Sequence, residues 1–262
     1  MGYENIRFER VRDHVAVVTL QRPERLNALN GPLLDELAHA VARIDGDDAI
    51  HVWLLTGAPR PDGRPCFGAG VDLRSFSEGK GVTVEQGFGL TNRIDDLLTP
   101  SIAVIDGVCT TGAAELALAC DFRLVGEAAR ISDWHLKNLG TGLGAWGAST
   151  RWSRLVGVTC AKEIILTGRE LDAEAAVRSG FATAAHSSET LMDAALGLAE
   201  TIAGMNPEGV RLTLAHLDRV DDMTRDEALR WAELLPRWLG VDVRVEGKDA
   251  KVLGSKTDAG AK

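Results

Sequence analysis

Residues 102–121 read IAVIDGVCTTGAAELALACD. Ile102-Ala103-Val104-Ile105 is an apolar run of the kind that forms a buried strand. Asp106-Gly107 interrupts it, and Val108 to Thr111 lead into Gly112 as a tight loop without strong helix formers. From Ala113 the composition turns to Ala, Glu and Leu, which favours helix. The stretch therefore predicts strand, tight loop, helix, with Gly112 near the helix start and Glu115 in its first turn. Backbone N–H groups at a helix start lack intrahelical acceptors and lie at the positive end of the helix dipole. Such donors can hold a developing oxyanion, and a glutamate one turn on could act on the same molecule. The plainer role for Glu115 is a first-turn carboxylate that complements the dipole.

The same alternation continues on both sides. Val15 to Leu20 (VAVVTL) is rich in β-branched residues and predicts a strand, closed by Gln21-Arg22-Pro23. Asn30 predicts an N-cap, with Gly31 and Pro32 opening a helix. In that helix Leu34, Leu37, Val41 and Ile44 share one face and Asp35, Glu36 and Arg43 the other. Ile50 to Thr56 is a continuous apolar strand of the type buried on both faces. A Pro/Gly-rich loop, Gly57 to Pro65, leads to Cys66-Phe67-Gly68-Ala69-Gly70-Val71-Asp72-Leu73, whose small residues allow close approach to the backbone. Ser75 to Gln86 reads as irregular and mobile, Gly87 to Leu98 as a helix, and Phe122 to Val125 as a short strand. Strand and helix alternate, which predicts a layered α/β domain with crossover connections. From Cys160 onward strand signals fade. Helices are expected at Ala161–Leu166, Ala173–Arg178, Glu189–Ala203, Glu208–Leu217 and Arg225–Leu239, with Asp172 and Thr224 as caps. The expected division is an α/β core over 1–200 and a helical region over 201–262, with a flexible tail after Val245.

At 262 residues the chain is long enough to bury a large core. A net charge of -9 argues against a general nucleic-acid binder, which presents a basic face. Cys66, Cys109, Cys120 and Cys160 form no CxxC pair and read as thiols in a reducing compartment rather than a disulfide or metal set. The charged N-terminus is unlike a signal peptide and no apolar run reaches membrane-span length, so the expected location is the cytoplasm, away from membranes.

Five segments in order carry a resemblance to the crotonase, or enoyl-CoA hydratase/isomerase, superfamily. They are Arg22-Pro23-Glu24-Arg25-Leu26-Asn27-Ala28-Leu29, Phe67 to Leu73, Pro100 to Asp121, Leu139 to Gly147 and Leu166-Thr167-Gly168-Arg169. The resemblance implies a spiral of repeated ββα units with a helical C-terminal trimerisation region, assembled as a homotrimer or a dimer of trimers. It implies an acyl-CoA thioester substrate, with no metal and no cofactor beyond the substrate's coenzyme A. It places the two oxyanion donors at the backbone N–H groups of Val71 and Gly112, and substrate and coenzyme A contacts at Arg25, Leu26, Ala28, Ala69, Gly70, Asp72 and Leu73.

Hydratases of the superfamily use two glutamates about the substrate double bond. Glu115 matches the first. The second is missing, because Ser132-Asp133-Trp134-His135-Leu136-Lys137-Asn138-Leu139-Gly140 carries one extra residue and puts His135 or Leu136 in its place. His135 is competent as a general acid or base, and Asp133 is close enough in sequence to orient it. The alternatives are a structural histidine and a turn or cap aspartate. Trp134, Trp146 and Trp152 read as core packing or as a flat wall for a cyclic acyl group, with Trp134 the candidate contact. The implied activity is hydration of a 2-enoyl-CoA. A single-base isomerase, a thioester or ring-opening hydrolase, and a non-catalytic acyl-CoA-binding subunit are the alternatives. Trp231 and Trp238, on one predicted helix, are expected at a subunit contact.

Overall fold

The computed structural model describes residues 2–240, 242–246 and 249–253. β1 (Ile6–Arg12) and β2 (Val15–Leu20) form an antiparallel hairpin, and every residue of β2 is buried. The β-branched run expected there is the second strand of the larger sheet. α1 (Gly31–Asp45) is capped by the Asn30 side chain, which accepts from Leu33 N–H at 3.0 Å. Leu34, Leu37, Val41 and Ile44 are buried, as their spacing predicts. β3 (Val52–Gly57) then runs parallel to β2.

From β3 onward the chain repeats one unit: a strand in the first sheet, a strand in a second sheet, then helix. β3 is followed by β4 (Cys66–Gly68), α2 (Arg74–Ser77) and α3 (Val84–Asp95). β5 (Ser101–Ile105) is followed by β6 (Val108–Thr110) and α4 (Gly112–Leu118). β7 (Phe122–Gly126) is followed by β8 (Arg130–Ser132), α5 (His135–Leu139), α6 (Ala148–Val156) and α7 (Val158–Thr167). α8 (Ala173–Arg178), β9 (Ala184–His186) and α9 (Leu191–Ala203) complete the run. The first sheet has the order β1-β2-β3-β5-β7-β9, and the second is the parallel set β4-β6-β8. This is a mixed α/β architecture of repeated ββα units, as the resemblance implies.

The contacts divide the chain into two compact units, Met1–Glu200 and Thr201–Lys262. The second contains α10 (Pro207–Leu217), α11 (Arg225–Trp238) and an antiparallel hairpin of β10 (Asp242–Glu246) with β11 (Asp249–Leu253). α11 opens on a capping box in which the Thr224 side chain accepts from Glu227 N–H and Glu227 reaches back to Thr224 N–H. Trp231 and Trp238 meet edge-on at 5.9 Å on that helix, and Trp238 is 78 % exposed. Among the described residues no helix is long and apolar enough to cross a membrane.

Several expectations are corrected. Val108–Thr110 is a strand rather than a loop, because β4 and β8 pair with it on either side. Ser75 to Gln86 is not irregular throughout: it holds α2 and the first turn of α3. That helix starts at Val84, three residues before the predicted Gly87, because Thr83 and Gln86 form a capping box. β8, α5 and α6 went unpredicted, as did β9, which joins the sheet edge within the helical last third. The tail expected to be loose after Val245 forms β11 at Asp249–Leu253; its remainder, residues 247–248 and 254–262, lies outside the described residues.

Candidate active site

One polar pair closes the 102–121 stretch on itself. Asp121 Oδ2 accepts from Ser101 N–H at 2.7 Å and from Ser101 O–H at 2.6 Å, and Asp121 N–H donates to Ser101 Oγ at 2.9 Å. The starts of β5 and β7 are thereby tied, and β6 and α4 are held between them. α4 is buried along its whole length, Glu115 included. A carboxylate buried to 1 % exposure needs donors, because an unpaired charge inside a protein is costly. Glu115 finds them in backbone: Oε1 accepts from Trp146 N–H at 2.7 Å and from Ala148 N–H at 3.0 Å. The glycine-rich chain at 140–147 permits this approach. A Cβ on Gly144, whose φ is +76°, would lie 2.6 Å from Glu115 Oε1.

The other carboxylate oxygen faces histidine. Glu115 Oε2 lies 3.4 Å from His135 Nε2, and among the described residues it has no hydrogen-bond donor of its own. Behind the ring, Asp133 Oδ1 takes His135 Nδ1 at 2.9 Å and the His135 backbone N–H at 3.0 Å. Asp133 is buried just after β8, and His135 opens α5. Burial by itself pulls the imidazole pKa down. The hydrogen bonds and negative charges of Asp133 and Glu115 outweigh it and lift His135 to about 9. The raised pKa keeps a proton on the ring at neutral pH, with Nε2 on the Glu115 side. Of the two residues that could replace the second glutamate, the structure places the His135 ring against Glu115.

Two unpaired donors lie beside α4. Leu29 bridges Val71 in parallel register: Leu29 N–H donates to Gly70 O and Asp72 N–H to Leu29 O, each at 2.8 Å. In a parallel bridge the central residue's own N–H points away from its partner, so Val71 N–H has no acceptor among the described residues. Gly112 N–H begins α4 and likewise has no acceptor among the described residues. The two loops touch, since a Cβ on Gly70, at φ +83°, would lie 1.8 Å from Thr111 Oγ1.

The remaining expected residues separate into two groups. Ala69 N–H donates to Leu26 O at 3.0 Å, which sets Leu26, Ala28, Ala69 and Gly70 side by side. Arg25 is half-buried and pairs with Glu78 at 3.5 Å, while Leu73 is 65 % exposed. The Asp72 carboxylate is not available for a ligand: it is buried, bonded to Arg22 Nη2 at 2.9 Å, and accepts from Arg74 N–H. The Trp134 indole N–H donates to Gly168 O at 3.1 Å and Lys137 lies 4.7 Å above its ring, so the ring braces α5 against the end of α7. Trp152 stacks on Phe181 at 5.0 Å in the core, and the Trp146 ring packs on Gly112 and Gly87. The flat aromatic wall is therefore not what the three tryptophans build. Cys66, Cys109 and Cys120 are free and buried. Burial raises Cys66 to about 11 and Cys120 to about 12, so neither is a thiolate nucleophile at neutral pH.

Sequence reasoning missed the Trp146 and Ala148 N–H groups, which fix Glu115, and the conformation of Thr111. The glycines at 140, 142, 144 and 147 were the available signal for the first.

Residues 10–234 match the enoyl-CoA hydratase/isomerase family. A probable enoyl-CoA hydratase of Rhizobium meliloti is 32 % identical, covering 90 % of this chain and 89 % of that protein. A short-chain-enoyl-CoA hydratase of Clostridium acetobutylicum is 32 % identical, with 87 % of each chain covered. The crystal structure of an enoyl-CoA hydratase from Bacillus anthracis superposes with a TM-score of 0.83 at 30 % identity, over 89 % of this chain and 90 % of that one. Fold, site geometry and these similarities agree, and the chain belongs to the enoyl-CoA hydratase/isomerase family.

Proposed function

We propose that the protein hydrates a 2-enoyl-CoA, with Glu115 and His135 as the acid/base pair and the Val71 and Gly112 N–H groups as oxyanion donors. The observation that carries this reading is the 3.4 Å approach of Glu115 Oε2 to His135 Nε2 at the head of α4. It supplies a base and an acid side by side where the family resemblance expects two glutamates.

In this reading water adds its oxygen to the β-carbon and gives a proton to Glu115 Oε2. The alkene electrons move toward the carbonyl, and the thioester oxygen takes up negative charge held by the two N–H groups. The α-carbon then takes a proton from His135 Nε2, which leaves a 3-hydroxyacyl thioester. Glu115 returns its proton to His135 directly, because the two atoms already face each other. Asp133 holds the ring so that Nε2 is the acting nitrogen. General acid–base catalysis of this kind contributes about 10²–10⁴-fold.

Residues 1–200 are proposed as the acyl-CoA-binding core, with Arg25, Leu26, Ala28, Ala69, Gly70 and Leu73 along the coenzyme A path. No cofactor is required beyond the substrate's own coenzyme A. Residues 201–262 are proposed as the trimerisation region. The exposed Trp238, with Leu229 56 % and Leu234 46 % exposed on the same helix, supports this part. Light scattering is expected to give three or six times the 28.0 kDa chain mass, and a monomer would overturn it.

Incubation with crotonyl-CoA tests the activity through the absorbance of the conjugated thioester. The expected result is loss of that absorbance with formation of 3-hydroxybutyryl-CoA. Binding without conversion across short, branched and cyclic 2-enoyl-CoAs would make the protein a binding subunit instead.

A further inference from the structure

Thr111 sits at φ 49° and ψ -122°. Positive φ is a marked outlier for a β-branched residue and costs on the order of 1–3 kcal/mol where the surroundings impose it. They do impose it. Thr111 N–H donates to Ser132 O at 3.3 Å on β8, and Thr111 O accepts from Glu115 N–H at 2.9 Å in α4. The backbone is thus pinned between the strand that leads to His135 and the helix that carries Glu115.

The side chain is placed by the same twist. Its hydroxyl rests against Gly70, the residue before Val71, while its own carbonyl carbon bears the Gly112 N–H. The neighbouring Thr110 shows the contrast: its Oγ1 is buried and accepts from Ser132 O–H at 2.9 Å. Thr111 is half-buried and its hydroxyl has no hydrogen-bond partner among the described residues. Among the described residues, Thr111 O–H, Gly112 N–H and Val71 N–H are therefore three unpaired donors on touching segments. Glycine would serve the backbone at this position without strain.

We infer that the Thr111 hydroxyl is a third donor to the thioester oxygen, acting with Val71 and Gly112 N–H when that oxygen gains charge. This rests on the oxyanion hole proposed above and extends it by a catalytic side chain.

Three variants separate hydroxyl, shape and strain. Thr111→Val keeps the shape and strain but removes the donor. Thr111→Ser keeps the donor, and Thr111→Gly relieves the strain and removes the donor. For 2-enoyl-CoA hydration, Thr111→Val is expected to lower kcat on the order of 10²-fold with KM little changed, the scale for losing one oxyanion donor. Thr111→Ser should recover most of the rate. Thr111→Gly should match Thr111→Val in rate while melting at a higher temperature. A Thr111→Val enzyme with wild-type kcat, or one altered only in KM, overturns the inference.

A second readout does not depend on hydration. Acetoacetyl-CoA forms an enolate that absorbs in the near ultraviolet, and the hole should raise its fraction on the wild-type protein but not on Thr111→Val. If the wild type forms this band without hydrating any enoyl-CoA, and Thr111→Val loses it, the hydratase reading fails and this inference stands. A band equal in both proteins, or absent from both, overturns it.

Discussion

Glu115 Oε2 and His135 Nε2 face each other at 3.4 Å, in side chains only 1 % and 3 % exposed. The contact is direct, and each partner is held from behind: Glu115 by Trp146 and Ala148 N–H, His135 by Asp133. In the proposed reaction a pair held this way would lose little entropy on reaching the reactive geometry. Mutation of either member should therefore alter rate more than fold.

Glu115→Gln keeps an oxygen for the two backbone donors but cannot accept a proton from water. The expected outcome is a loss of about 10²–10⁴-fold in kcat, with acyl-CoA affinity retained within a few fold by calorimetry. Undiminished turnover would remove Glu115 from the reaction.

The pH dependence follows from His135, whose pKa is raised from an ordinary 6.5 to about 9. A group with a raised folded pKa binds its proton more tightly when folded. Its stabilising contribution is present in full below pH 6.5 and disappears as pH rises through about 9. Melting temperature should therefore fall between these values in the wild type, and fall less in His135→Gln. Asp133→Asn removes one of the charges that hold the proton. In that variant the alkaline limb of kcat/KM, set in the wild type near 9, should move to lower pH. An unmoved limb would mean that Asp133 does not govern the ring.

The Arg22–Asp72 pair bears on stability. Both side chains are buried, and Arg22 also donates to Ala28 O, so the pair joins the chain around Ala28 to the loop that carries Val71. Asp72→Ala leaves a buried guanidinium without its counter-charge, which costs about 3–5 kcal/mol. Urea unfolding should show this loss. A variant of unchanged stability but weakened coenzyme A affinity would return Asp72 to the ligand path.

Much of the fold was legible where the signal is local. Asn30, Asp172 and Thr224 cap helices because a short polar side chain satisfies N–H groups two or three residues on, and that chemistry is written in sequence. Val15–Leu20 was legible because a buried β-branched run has few other uses. Val108–Thr110 and Ala184–His186 were not, since a three-residue strand exists only through partners elsewhere in the chain. The same division runs through the site. Glu115 and Gly112 stood out by residue type and spacing. The Trp146 and Ala148 N–H groups did not, because every non-proline residue carries such a donor and only the fold selects which one is used. Likewise nothing in the letters Thr110-Thr111 indicates that the second has positive φ.

Hydration of the enoyl thioester by the Glu115–His135 pair is tested most directly by turnover in ¹⁸O-labelled water, with the product analysed by mass spectrometry. The expected product carries one ¹⁸O on the carbon β to the thioester, keeps the coenzyme A ester intact, and is lost in Glu115→Gln. Label in a released carboxylate, or a shifted double bond with no label, would show a hydrolase or an isomerase and contradict it.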